Sequence, residues 1–363
     1  DRLLSTSGVT SMLLFAIPLF LGLISYVVPL QIGARGVALP RINALSYWLY
    51  LAGGVTIFAT LLYRPSEAGT LALAPLSDDV FSATNNGIDA WAAGVGLVTL
   101  GFVLFAINMI VTLRASRAPG MVWRRVPLFS VAASVISWTL LVVGPIMLAA
   151  MTMLIVDRNY DGVFFDPSEG GSPMLYAHLA WIFFTGTYVV VLVGAFGAIS
   201  EILPTFSRQP QFGHRAIAGS MAAFAALGVL AWMQNLYSAP ISSTWLYFAM
   251  AMALALIVPV GLILFNWIAT MRGGSTAMRT PMRFAIGAII LIVIGLAGEW
   301  TQSVIPVGWQ IANTATAWGD THFAMIGGGV LGGFAALYYW FPKITGRFMG
   351  ESLGRASFLA ILV

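Results

Sequence analysis

Long apolar stretches alternate with short polar ones along the whole chain. A hydrocarbon layer about 30 Å thick is crossed by about 20 mostly apolar residues in a helix. On that rule the pattern predicts spans over Thr10–Leu30, Ile42–Leu62, Ile88–Leu113, Val126–Ile155, Met174–Leu203, Ala216–Tyr237, Ser243–Met271, Met282–Ile305 and His322–Phe341, with a tenth beginning near Ser352. The longest polar stretch, Tyr63–Gly87, reads as one loop, and no stretch reads as a soluble domain or a linker. The expected fold is an all-α polytopic transmembrane helix bundle, a single transmembrane domain over residues 1–363.

Charge tests the span count. If the spans alternate in direction, one side carries Arg35, Arg41, Arg114, Arg117, Arg124, Arg125, Arg208, Arg215, Arg272, Arg279, Arg283, Lys343, Arg347 and Arg355. The other side carries only Arg2, Arg64 and Arg158 of the 17 basic residues. Positive loops stay in the cytoplasm, so residue 1 is expected on the outer side. A wrong count would have scrambled this asymmetry. The acids Glu67, Asp78, Asp79, Asp157, Asp161, Asp166 and Glu169 crowd the outer side.

Composition agrees: 59% of residues are hydrophobic and 8% charged, against about 25% charged in soluble domains. The 38 glycines suit close helix approach in lipid. With no cysteine, disulfides, thiolate metal sites and iron–sulfur clusters are excluded. The net charge of +4 does not indicate nucleic acid, because the basic residues are dispersed among inter-span loops. No signal-peptide pattern precedes Asp1, and the apolar run Phe358–Val363 stops as a span begins, so both ends read as interior to a longer chain. The outer loop Asp157–Pro173 brushes against a calcium-loop pattern but lacks the later Glu at the required spacing. It reads as a turn-rich solvated loop.

Several segments are specific. They are Asp1-Arg2-Leu3 with Gly8; Val28-Pro29-Leu30-Gln31-Ile32-Gly33-Ala34-Arg35; Pro40-Arg41-Ile42-Asn43-Ala44-Leu45-Ser46-Tyr47-Trp48; and Arg117-Ala118-Pro119-Gly120-Met121. Further along come Asp157-Arg158-Asn159 with Phe164-Phe165-Asp166-Pro167; Ile199-Ser200-Glu201-Ile202 with Pro204-Thr205-Phe206-Ser207-Arg208; Phe265-Asn266-Trp267-Ile268-Ala269-Thr270; and Trp340-Phe341-Pro342-Lys343-Ile344-Thr345-Gly346-Arg347. In this order they resemble cytochrome c oxidase subunit I of the haem-copper oxidase family, from its second helix to the start of its eleventh. The resemblance implies a low-spin haem held by two histidines, a high-spin haem held by one, and a copper held by three. Imidazole suits iron and copper, yet the chain has 3 histidines, His178, His214 and His322.

Carried over position by position, the resemblance puts Ser7 and Ala324 where the low-spin haem ligands stand. It puts His322 where the high-spin haem ligand stands, and Thr185, Gln234 and Asn235 where the copper ligands stand. The proton-relay Glu and cross-linked Tyr of the sixth helix fall on Thr187 and Val189, with Tyr188 one residue off, about 100° around a helix. The proton-channel Lys falls on Ile263, and the outer His-Asp pair on Thr314-Ala315.

His322 is thus the candidate axial haem ligand, set against an interfacial histidine bonded to a loop. His178 reads as a structural hydrogen-bonder and His214 as solvated. Glu299 is an acid inside a span, where an ionisable group is costly. It reads as a contact to a neighbouring subunit or lipid headgroup, or as a proton or cation relay shared with Gln302. Asn108 and Asn266 read as interhelical hydrogen-bonders, and Trp91, Trp123, Trp181, Trp309 and Trp318 as an interfacial belt. The expected function is a membrane subunit of a respiratory-type electron-transfer complex, structural and not competent for oxygen reduction. The alternative is a single-haem electron-transfer or gas-binding protein using His322. The expectation is a chain without cofactors, one haem being the alternative, with lipid or quinone filling vacated pockets. The expected partners are other membrane subunits and lipids, not nucleic acid, and the expected location is the bacterial cytoplasmic membrane.

Overall fold

The computed structural model describes residues 7–63, 69, 71–74, 76–77, 86–312 and 314–362. Asp1-Arg2-Leu3, Arg64, Glu67, Asp78 and Asp79 lie outside the described residues. The described residues form helices and no strand. They are α1 (Ser7–Gln31), α2 (Pro40–Tyr63), α3 (Asn86–Ala115), α4 (Leu128–Asn159), α5 (Pro173–Ser207), α6 (His214–Leu230), α7 (Ser243–Ala255), α8 (Ile257–Met271), α9 (Thr280–Ser303), α10 (Ile305–Ile311), α11 (Ala315–Thr345) and α12 (Glu351–Leu362). Among the described residues, 9 helical segments are long and apolar enough to cross a membrane. They coincide with the nine complete spans of the hydropathy pattern, and α12 occupies the place of the tenth.

Two boundaries depart from expectation. The span Ser243–Met271 is broken between Ala255 and Ile257. Pro259 explains the break: it has no N–H to offer the carbonyl of Ala255, and its ring crowds that carbonyl. α11 begins at Ala315, ahead of the expected start at His322. Its polar first turns, holding Trp318, Gly319 and Asp320, hid it from hydropathy. Within α11 the segment His322–Val330 is a π-helix that runs through Gly327, Gly328 and Gly329.

The chain groups into two compact units. The first comprises Asp1–Pro18, Val37–Val111 and Ser137–Thr187. Its helices approach through glycine. A Cβ on Gly53 of α2 would stand 2.6 Å from the carbonyl oxygen of Gly94 on α3. Asn108, fully buried on α3, accepts from the Leu39 N–H at 2.9 Å and donates to Asn43 Oδ1 at 3.2 Å. It therefore caps the start of α2 from a neighbouring helix, as an interhelical hydrogen-bonder should. Arg158, 2% exposed, pairs with Asp89 at 2.8 Å and donates to the Ser77 carbonyl at 2.8 Å. Asp157 accepts from the N–H groups of Phe164 at 3.0 Å and Phe165 at 2.8 Å. Its carboxylate therefore holds the outer loop as a turn.

The second unit comprises Leu19–Gly36, Thr112–Ile136 and Tyr188–Val363. Here α5, the most buried of the spans, meets its neighbours at small residues: a Cβ on Gly194 would lie 2.6 Å from the Phe20 ring, and one on Gly332 of α11 would lie 2.6 Å from Ala195. Glu201 of α5 accepts from the Phe129 N–H at 3.3 Å, in the first turn of α4. Trp267 donates to Ser200 at 2.9 Å. Asn266 departs from expectation: its Nδ2 donates back to Leu262 of its own helix at 2.6 Å, while its Oδ1 fills the space where a Cβ on Gly213 would stand. Of the expected tryptophan belt, Trp123, Trp309 and Trp318 are exposed, but Trp91 is buried in the core.

Candidate functional site

The candidate residues divide between the two units, with Ser7 and Thr185 in the first and Gln234, Asn235, Glu299, His322 and Ala324 in the second. Ser7 is exposed on the first turn of α1. Thr185 is half-buried on α5, and the nearby Thr187 hydroxyl bonds the Phe184 carbonyl at 2.7 Å.

Gln234 and Asn235 lie on the short 3-10 turn Trp232–Leu236. The Ser303 hydroxyl stands 2.9 Å from Gln234 Oε1 and 2.8 Å from the Glu299 carbonyl. Both are acceptors, so its single proton is shared between them. Asn235 Nδ2 donates to the Trp232 carbonyl at 3.2 Å. Tyr237 donates to the Ser303 carbonyl at 2.9 Å and receives Trp309 Nε1 on its own carbonyl at 3.0 Å. The Gln234 and Tyr237 bonds tie this stretch to Ser303 at the end of α9, the Trp309 bond reaches α10, and the Asn235 bond stays within the turn.

His322 opens the π-helical segment and is exposed. Its Nδ1 lies 2.7 Å from the Trp318 carbonyl oxygen. A carbonyl only accepts, so Nδ1 carries a proton, and in the neutral ring Nε2 is the nitrogen with the lone pair. A carbonyl holding the far nitrogen orients a metal-bound imidazole and raises its basicity. Ala324, two residues on, is fully buried, with its backbone nitrogen packed where a Cβ on Gly295 would stand; it offers no donor. His214 is half-buried rather than solvated, and its Nε2 has no hydrogen-bond partner. The donor chemistry therefore fits one axial haem position at His322. It does not fit a three-imidazole copper set at Thr185, Gln234 and Asn235. Among the described residues no three His, Cys, Asp or Glu side chains come together as a metal-binding group.

Glu299 lies on the last turns of α9, where its Oε1 accepts from the Thr321 hydroxyl at 2.7 Å. Gln302, one turn on, donates instead to Asp320 Oδ2 at 2.8 Å. Asp320 and Tyr188 are the residues that sequence reasoning missed. Asp320 would have stood out as a second intramembrane acid had the span been started at Ala315. Tyr188 was set aside because it falls one position off the family motif.

The family model described as "Cytochrome C and Quinol oxidase polypeptide I" matches residues 1–363. The chain is 38% identical over 360 residues to a protein of Nocardia farcinica named "Probable cytochrome c oxidase subunit 1-beta", covering 99% of this chain and 60% of that one. It is 36% identical over 364 residues to cytochrome c oxidase subunit 1 of Cereibacter sphaeroides, covering 98% of this chain and 64% of that one. The chain thus spans about three fifths of the length of these relatives. A solved heme-copper terminal oxidase dimer shares the fold at a TM-score of 0.81 and 15% identity, over 99% of this chain and 63% of that one.

The expectation of a chain without cofactors is corrected by these matches. Relatives along nearly the whole chain are cytochrome c oxidase subunits, and the shared fold is that of a haem-copper oxidase. A shortage of imidazole is not positive evidence that cofactors are absent, and His322 Nε2 remains a competent donor.

Proposed function

The chain belongs to the cytochrome c and quinol oxidase polypeptide I family, and from that premise we propose that it is a membrane subunit of a respiratory-type electron-transfer complex that does not itself reduce oxygen. It would sit in the bacterial cytoplasmic membrane with residue 1 on the outer side, packed against other membrane subunits and lipid. The observation that carries this reading is the Gln234–Asn235 turn. Its side chains are carboxamides, and Gln234 is engaged with Ser303. Amide oxygens are poor substitutes for imidazole on copper. Oxygen uptake by the purified protein, driven by reduced cytochrome c, is expected not to exceed the protein-free background. Sustained turnover would sink the reading.

A second reading is favoured by the pinned ring of His322: one haem bound axially through Nε2, for electron transfer or gas binding. Bound haem would supply one-electron chemistry. The chain's own part is to fix the ring and its orientation through the Trp318 carbonyl, with Nε2 as the nitrogen turned to the iron. A pyridine haemochrome assay is expected to find haem in the purified protein and at least a tenfold loss in His322→Ala, with His178→Ala unchanged. Equal haem in all three proteins rules this reading out.

A further inference from the structure

A polar cluster in the second unit takes part in neither reading. Asp320 of α11 lays its carboxyl group against Gly298 of α9, in the space that a Cβ there would fill. Glu299 follows directly in sequence, and Gln302 comes one turn later. The Thr321 hydroxyl donates to Glu299 Oε1 at 2.7 Å, and Gln302 Nε2 donates to Asp320 Oδ2 at 2.8 Å. Two carboxyl groups are thereby held within about one turn of the same helix.

Among the described residues neither acid has a cationic side chain as partner; the ion pair found there is Arg158 with Asp89. From α5, the Tyr188 hydroxyl is buried, makes no hydrogen bond, and lies within electrostatic reach of both Glu299 and Asp320. The bonds to Glu299 Oε1 and Asp320 Oδ2 leave Glu299 Oε2, Asp320 Oδ1 and Gln302 Oε1 as further acceptor oxygens of the cluster. Two like charges in a membrane span repel one another and are costly to desolvate. Four oxygen donors around two carboxyl groups that have no cationic side-chain partner among the described residues are the makings of a hard-cation site.

We propose that Glu299, Asp320, Gln302 and Tyr188 bind one divalent hard cation, with calcium the best fit. The donors come from three helices and differ in length. Calcium tolerates such irregular coordination and completes its shell with water, whereas magnesium demands a near-ideal octahedron. The site lies toward the outer ends of α9 and α11 by the charge asymmetry of the loops. The proposal rests on neither reading of the oxidase-like site, since none of its four donors is taken as a haem or copper position.

The test is equilibrium dialysis of the purified full chain in detergent, freed of divalent ions with a chelator and then titrated with radioactive calcium. One saturable calcium per chain is expected. Glu299→Gln and Asp320→Asn should each weaken it at least tenfold and Tyr188→Phe several-fold, while Glu169→Gln, on the exposed outer loop, leaves it unchanged. No saturable binding, or equal binding in all variants, overturns the proposal. Should the acid variants fail to fold, thermal unfolding of the unmutated chain decides: calcium is expected to raise the midpoint and magnesium to raise it less. An unmoved midpoint, or equal shifts with both ions, overturns it.

Discussion

Gly213→Val is expected to destabilise the chain by about 3 kcal/mol or more. Gly213 stands just ahead of α6 with φ 63 and ψ 36, in the left-handed region that a β-branched residue enters only at a cost. A side chain there also strikes the carboxamide of Asn266, whose Nδ2 is held to Leu262 at 2.6 Å and cannot swing away freely. Two penalties therefore add, one from the backbone and one from packing. Gly273→Ala separates them. Gly273 has a φ of 77, and the space that a Cβ would enter there is open to 4 Å, so that variant carries the backbone penalty alone. That penalty is about 1–2 kcal/mol. Thermal unfolding of the detergent-solubilised variants reads the difference. Equal losses in Gly213→Ala and Gly273→Ala would show that the Asn266 contact carries no weight.

Arg158→Met should cost about 3 kcal/mol. Methionine keeps most of the stem's apolar volume, so the loss isolates the guanidinium. That group bonds Asp89 at 2.8 Å and 3.3 Å and the Ser77 carbonyl at 2.8 Å while only 2% exposed. Removing it leaves a carboxylate with the Asn159 amide at 3.0 Å as its remaining side-chain partner. It also leaves a carbonyl without its donor. Asp89→Asn in the same chain should recover part of the loss, because the stranded charge is then gone. A double-mutant cycle that returns no coupling contradicts the account.

How much of this was legible beforehand differs by element. The spans were legible because lipid demands unbroken apolar length, and length is a property of consecutive residues. The break at Leu256 was legible in principle, since Pro259 sits where it would remove the bond to Ala255. The early start of α11 was not, because Asp320 and Gly319 lower local hydropathy while the helix continues through them. Asn108 was recognised as an interhelical hydrogen-bonder, but its role as the cap of α2 was not, because Leu39 and Asn43 are distant in sequence. His322 was found through a family motif, but the Trp318 bond that sets its tautomer depends on a side-chain rotamer.

The amino-acid order alone determined the membrane class, the family and, except at the start of α11, the span boundaries to within a few residues. Each follows from local composition or from matched segments that need no knowledge of distant contacts. Tertiary structure decided what the polar residues do: that Gln234 meets Ser303, that Glu201 reaches the start of α4, and that Tyr188 comes within electrostatic reach of Glu299 and Asp320. Hydrogen bonds and charge pairs act over a few ångströms between helices far apart in sequence. Their partners exist only once small residues such as Gly298 let the helices close.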